Sequence, residues 1–226
     1  MPGHGVACTG GVDMLALHTY FRSSAAYRVR IALGLKGLDA QMLPVHLLKN
    51  GGEQRSDAYL AVNPAGLVPT LVHDGQALTQ SLAIIEYLEE RWPQPALLGT
   101  NALERAHIRA LALDIACEIH PLNNLRVLNY LGSEMGLDSD QKNRWYRHWT
   151  ETGLATVEAQ LRQTSGLFSV GDSPTLADCC LVPQVFNAQR FHCSLDHVPT
   201  VMAVHARCAA LPAFQQAAPQ QQPDAE

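Results

Sequence analysis

The apolar pattern of this chain changes once, near Asn101, and does not change back. Before that point, short runs alternate with period two and are separated by helical stretches. Beyond it, every apolar pattern has helical spacing. Such a chain folds as a small α/β unit followed by an all-helical one. Leu15, Leu17 and Thr19 alternate with Ala16, His18 and Tyr20, which predicts a strand. The polar turn Arg22-Ser23-Ser24 follows. A helix is then expected over residues 25–36, with Val29, Ala32, Leu33 and the Lys36 stem on one face and Gly37 as its stop. Residues 41–45 read as a second strand, so the chain opens with a βαβ unit and a parallel pair. Residues 46–57 read as a polar loop and 56–62 as a short helix. A strand starting at Pro69, a turn over residues 73–76 and a short return through Ala77-Leu78 come next. Ser81 is expected to N-cap a helix over residues 82–92, where Leu82, Ile85, Leu88 and Trp92 share a face.

Residues 94–101 read as a linker. Ile108, Leu111, Ala112, Ile115 and Ile119 then recur at helical spacing, Pro121 bends or restarts that helix, and residues 122–135 continue it. A long helix is expected over residues 138–162. Thr175 with Asp178 resembles a capping box opening a helix over residues 176–190, bent near Pro183. Pro199 and Pro212 open two short helices, and the Pro/Gln-rich tail from Pro219 reads as frayed. The expected division is a disordered extension or tag at 1–13, an α/β unit at 14–93, the linker at 94–101, and an all-α unit at 102–226.

Charge and cysteine usage exclude several classes of function. With Lys+Arg 16 against Asp+Glu 21, the net charge is -5. That disfavours nucleic acid and anionic membrane surfaces as partners. No apolar run reaches the roughly 18 residues that span a bilayer. The 6 cysteines fit no CxxC or Cys/His zinc spacing, so no metal is assigned. They read as free, mostly buried thiols in a reducing cytoplasm. Residues 1–13 lack the Lys/Arg-led apolar stretch of a secretory signal.

Chemistry is expected where polar residues meet helix starts. Ser23-Ser24 lie between a strand and a helix N-terminus, where unpaired N–H groups and the helix dipole favour an anion such as a thiolate. Two readings stand open for Pro69. It is an ordinary trans proline starting an edge strand, or a cis bond that frees the Val68 backbone for an extended peptide. Gln80-Ser81 mark a second helix start, suited to a carboxylate. Each serine alone is more often a plain cap. Together the features match a tripeptide with a thiol in its middle and a carboxylate at one end, which is the shape of glutathione.

With that order of units, the chain resembles the glutathione transferases, and within them the zeta class. The motifs are Tyr20-Phe21-Arg22-Ser23-Ser24 with Arg28-Val29-Arg30, Asn63-Pro64, Val68-Pro69-Thr70-Leu71, Gln80-Ser81-Leu82-Ala83-Ile84-Ile85, and Gly171-Asp172 with Thr175-Leu176-Ala177-Asp178. The resemblance covers essentially residues 15–226. It implies a thioredoxin-like N-terminal domain plus an all-α C-terminal domain. The implied activity is glutathione-dependent cis–trans isomerisation of a maleyl keto acid, maleylacetoacetate or maleylpyruvate, by thiolate addition, rotation and elimination. Ser23 would hold the sulfur. Ser24, Gln54, Val68, Gln80, Ser81, His120 and Asn124 would hold the rest, with His120 and Asn124 read as i and i+4 on one helix face. The substrate is a small dicarboxylate keto acid, so Arg22, Arg126 and Arg190 are its expected clamp, with Ser23, Arg22 and Arg190 acting in catalysis. Arg126 is the weakest of these, because a straight helix would turn it away from Asn124. Asp178, Arg28 and Arg30 read as structural. Ala25 stands where many zeta members carry cysteine, so no protein thiol is assigned to the mechanism; the maleylpyruvate branch shares that feature. A homodimer with the 120–126 segment near its interface is also implied. Conjugation of glutathione to small halogenated acids, and glutathione binding without catalysis, are the alternatives.

Overall fold

The computed structural model describes residues 14–226, so the extension at 1–13 and Cys8 lie outside the described residues. The chain opens with β1 (Leu15–Thr19), α1 (Ser24–Lys36) and β2 (Ala40–Pro44). α2 (Asp57–Leu60), β3 (Thr70–His73), β4 (Gln76–Thr79) and α3 (Ser81–Arg91) follow. The sheet order is β2-β1-β3-β4. β1 pairs parallel with β2 and antiparallel with β3, and β4 returns antiparallel to β3. This polarity brings the end of β1, the start of β3 and the end of β4 to one edge, where His18 opposes Thr70 and Thr70 opposes Thr79. The Ser23 turn, Val68 and Gln80-Ser81 therefore leave the sheet at the same end.

Ser23 caps α1 with its hydroxyl oxygen accepting the Ala26 N–H at 3.2 Å. Gly37 ends the helix in the left-handed region, φ 64, which a side chain would disfavour. The single apolar face expected for α1 is corrected. α1 is buried almost all round, because it packs on α3 and also against α7 and α9. It is the seam between the sheet and the helices.

The helical part comprises α4 (Ala102–Leu113), α5 (Leu125–Ser133), α6 (Ser139–Thr164), α7 (Leu176–Arg190), α8 (Pro199–Ala209) and α9 (Pro212–Ala217). Asp178 receives the Ser169 N–H at 2.9 Å and the Thr175 N–H at 2.8 Å, so it caps α7 and pins the preceding loop. α7 runs through Pro183 as one helix. Its mid-section is buried between α1, α4 and α8.

Three further expectations are corrected and one left open is decided. The 46–57 loop contains tight helical turns at Lys49–Gly51 and Glu53–Arg55. Ser81 is the first residue of α3 and not its cap; Gln80, at φ 69, takes the flanking position without a side-chain bond. Of a bend and a restart at Pro121, the structure has the restart. Wide turns at Asp114–Ile119 give way to tight ones at His120–Asn123, and α5 starts afresh with Asn124 as N-cap. Proline supplies no N–H to an i→i−4 ladder, so the ladder breaks there. Finally, the tail is docked and not frayed. Gln222 donates to the Gln216 and Ala218 carbonyls, Asp224 Oδ2 accepts the Phe21 N–H at 3.0 Å, and Glu226 pairs with Lys49. No helix among the described residues is long and apolar enough to cross a membrane.

Candidate functional site

A cavity of about 570 Å³ lies between the sheet edge and the helical part. Ser23, Ser24, Gln54, Val68, His120, Asn124, Arg126 and Arg190 all line it. Residues far apart in sequence thus converge as expected. Arg22, Gln80 and Ser81 do not line it. Arg22 is exposed, with its guanidinium 4.7 Å from the Phe21 ring centroid. Gln80 and Ser81 sit at the shared sheet edge, beyond Val68.

Ser23 stands at the positive end of α1. The cap uses a lone pair of Oγ, so the hydroxyl proton remains available to donate. Arg30 stiffens the approach to it, donating from Nη1 to Thr19 Oγ1 at 2.9 Å and from Nη2 to the Phe21 carbonyl at 3.1 Å. Ser24 is buried and accepts a hydrogen bond from the Asn187 side chain of α7.

The Val68-Pro69 bond is cis. The ladder with β1 begins at Thr70, so Val68 stays outside it. Asn63 and Tyr59 hold the Leu67 carbonyl, each at 2.7 Å. Gly66, at φ 60, lies so close that a Cβ there would sit 3.1 Å from the Gln54 carbonyl oxygen.

The far wall comes from the broken helix. Asn123 donates to Thr150 Oγ1 at 2.9 Å and Trp145 Nε1 to the Leu122 carbonyl at 2.8 Å, which fixes the 120–124 segment on α6. His120 and Asn124 are therefore not i and i+4 partners on a helix face. A tight turn carries His120, and Asn124 is extended at ψ 147. The same break brings Arg126 to the cavity, because it now lies in the first turn of a new helix whose cap is Asn124. Burial, then the charges of Arg28 and Arg126, push the His120 imidazole down to about 3, so it is neutral at ordinary pH. Burial also lowers Arg190, with the charge of Arg22 adding to that effect. The two arginines therefore share one electrostatic neighbourhood.

Asn123, Tyr146, Gln184, Asn187 and Phe191 line the cavity without having been singled out in the sequence. Tyr146 stacks on Phe191 at 3.7 Å between ring centroids. Asn187 alone left a signal, since it precedes Arg190 by one helical turn.

The lining holds Arg55, Arg126 and Arg190 and no carboxylate. It therefore favours an anion. It also offers acceptors. The side-chain oxygens of Gln54, Asn123 and Asn187 are buried without a hydrogen-bond partner among the described residues. Buried polar atoms are ordinarily paired. A ligand bearing several N–H donors, an acidic thiol and carboxylates meets these demands, and a tripeptide such as glutathione is one.

Known proteins agree with this geometry. The family model described as glutathione S-transferase, N-terminal domain, matches residues 17–96. The chain is 53% identical over 211 residues to maleylacetoacetate isomerase of Pseudomonas aeruginosa, covering 93% of this chain and 98% of that one. It superposes with TM-score 0.91 and 47% identity on the holo structure of maleyl pyruvate isomerase, a bacterial zeta-class glutathione S-transferase, covering 93% of this chain and 100% of that one. With TM-score 0.84 and 44% identity it matches maleylacetoacetate isomerase from Anaeromyxobacter dehalogenans with glutathione in its active site, covering 95% of this chain and 100% of that one.

Proposed function

This chain belongs to the zeta class of the glutathione transferase family, and from that premise we propose that it is a glutathione-dependent cis–trans isomerase of a maleyl keto acid, maleylacetoacetate or maleylpyruvate. The observation that carries the reading is a carboxylate-free, arginine-bearing cavity facing a serine at the N-terminus of α1.

Bound glutathione supplies a thiolate that adds reversibly to the cis double bond and leaves after rotation. Ser23 donates its hydroxyl proton to that sulfur, and the α1 dipole supports the negative charge. Gln54 and the Val68 backbone hold the peptide, with His120 and Asn124 opposite. Ser24 secures the turn beside the sulfur. Gln80 and Ser81 receive the carboxylate end at the start of α3. Arg190 and Arg126 hold the substrate carboxylates and stabilise charge developing on the keto oxygen, with Arg22 at the rim. His120, being neutral, adds no competing cation to the floor.

Residues 14–93 serve as the glutathione-binding domain and 102–226 as the substrate domain, joined at 94–101. Glutathione requires a reducing compartment, so the protein works in the cytoplasm. A homodimer is proposed, and Leu103, Leu113 and Tyr130 are exposed apolar residues on α4 and α5 for such a contact.

The experiment is an assay of purified protein with each maleyl keto acid, with and without glutathione, following loss of the enol absorbance. Glutathione-dependent loss is expected, and the faster substrate names the pathway. No turnover of either acid, despite glutathione binding, would overturn the isomerase.

A further inference from the structure

Arg28, read from the sequence as structural, keeps donors that the described residues do not pair. It lies on α1, one turn beyond Ser24, and is only 3% exposed. Its neighbour Arg30 spends its guanidinium on carbonyls and a hydroxyl of the β1–α1 turn and α9. Arg28 makes one such bond, from Nη1 to Ser81 Oγ at 3.2 Å. Its Nε and Nη2 are buried without a hydrogen-bond partner. Among the described residues no carboxylate forms an ion pair with it. A buried cation without a counter-ion is costly, so its retention calls for a role.

The place it serves is distinctive too. α3 has no side-chain cap, because Gln80 flanks it at φ 69 without a capping bond. The first-turn N–H groups of α3 are thus left to a ligand, and the Ser81 hydroxyl stands among them. A hydroxyl has one proton and two lone pairs. Arg28 occupies a lone pair from beneath, which restricts the rotor and leaves the proton to point outward. The field of the same guanidinium reaches His120 on the cavity floor.

We propose that Arg28 is a positioning residue for the carboxylate subsite at the start of α3, acting by fixing the Ser81 hydroxyl so that it donates to a carboxylate of glutathione. This rests on the reading of glutathione as the cofactor.

The test is a double-mutant cycle with R28M, S81A and R28M/S81A, together with R28K. Glutathione affinity is read by calorimetric titration, and KM and kcat by turnover. R28M is expected to raise Kd and KM for glutathione on the order of tenfold or more, with kcat at saturating glutathione within about twofold of wild type. R28K keeps the charge without the forked donors, and recovers part of the affinity. The single-variant penalties are expected not to add in R28M/S81A, because both remove one donated bond. Should R28M not fold, R28K carries the same reading with a several-fold loss. Wild-type protein that fails to bind glutathione removes the cofactor reading and this proposal with it. Wild-type binding with undiminished binding in R28M or R28K, or penalties that add in full, removes the role of Arg28 alone.

Discussion

The side-chain amide of Asn187 on α7 donates to the hydroxyl of Ser24 at the start of α1, a hydrogen bond spanning 163 residues of sequence. Both residues line the cavity. Asn187 lies one turn before Arg190, so residues on one helix face carry both the bond and the guanidinium proposed to hold the substrate. The bond registers α7 against the start of α1, where Ser23 is proposed to hold the sulfur. Small displacements between reacting groups are expensive in rate. N187A is therefore expected to lower kcat about tenfold and stability by about 1 kcal/mol, leaving glutathione affinity near wild type. Single-turnover rates, titration with glutathione and urea unfolding check the three parts. A variant that loses stability with full kcat would make the bond purely structural.

What could be read in advance follows from range. β1, the stop of α1 at Gly37 and the Thr175 capping box are written in adjacent residues, and each formed as its local pattern dictated. Pro121 signalled a bend or a restart, but only the packing of Asn123 and Trp145 on α6 decides for the restart at Asn124 that lets Arg126 line the cavity. Ser81 has the residue type of a cap, yet Arg28 from α1 engages its hydroxyl. The Pro/Gln composition of the tail gives no sign that Asp224 finds the Phe21 N–H. Tyr146 reaches the cavity through a helix crossing that its neighbourhood does not encode. Of the motif residues named in advance, Ser23, Ser24 and Val68 line the cavity while Arg22, Gln80 and Ser81 do not; the lining residues supplied by tertiary contact had no motif to announce them.

Acid should destabilise the fold through His120. Its imidazole is held down to about 3 against an ordinary 6.5 in the unfolded chain. Above pH 6.5 both states are neutral there and this contribution is complete. As pH falls from 6.5 toward about 3, the unfolded state binds a proton that the folded state refuses, so stability drops, and the loss levels off below. At pH 5 this one group accounts for at most about 2 kcal/mol. His18 and His205, also lowered by burial, add to the drop. Urea midpoints at pH 7.5 and pH 5 should differ less in H120Q than in wild type. Equal differences would exclude His120 as a source.

The docked tail should matter for glutathione and not for chemistry. Asp224 holds the backbone just before Arg22, and Glu226 holds Lys49 in the loop that carries Gln54. Deleting residues 223–226 frees both walls of the proposed peptide subsite while leaving Ser23 capped on α1. KM for glutathione is expected to rise several-fold, with kcat at saturation retained. Amide exchange over residues 20–24 and 46–55 should quicken in the truncated protein. Unchanged exchange there would show that the tail only covers surface.

The arginines can be ranked by where the fold puts them. All three are exposed residues, but Arg126 lines the cavity because Asn124 caps a new helix, and Arg190 lines it from the end of α7, while Arg22 lies outside the lining, over Phe21. Bidentate pairing with a carboxylate adds geometric specificity as well as energy. R126A and R190A are therefore expected to lower kcat/KM for the maleyl keto acid by one to two orders of magnitude, roughly the loss of a charged hydrogen-bond pair, with R22A costing less. Glutathione binding should stay intact in R126A and R190A, since neither guanidinium is assigned to the peptide. Lysine at either position restores charge but not the fork, so partial recovery separates electrostatic attraction from oriented binding. If R22A proved the most damaging of the three, the anion would have to sit at the rim beside Phe21 and not between α5 and α7.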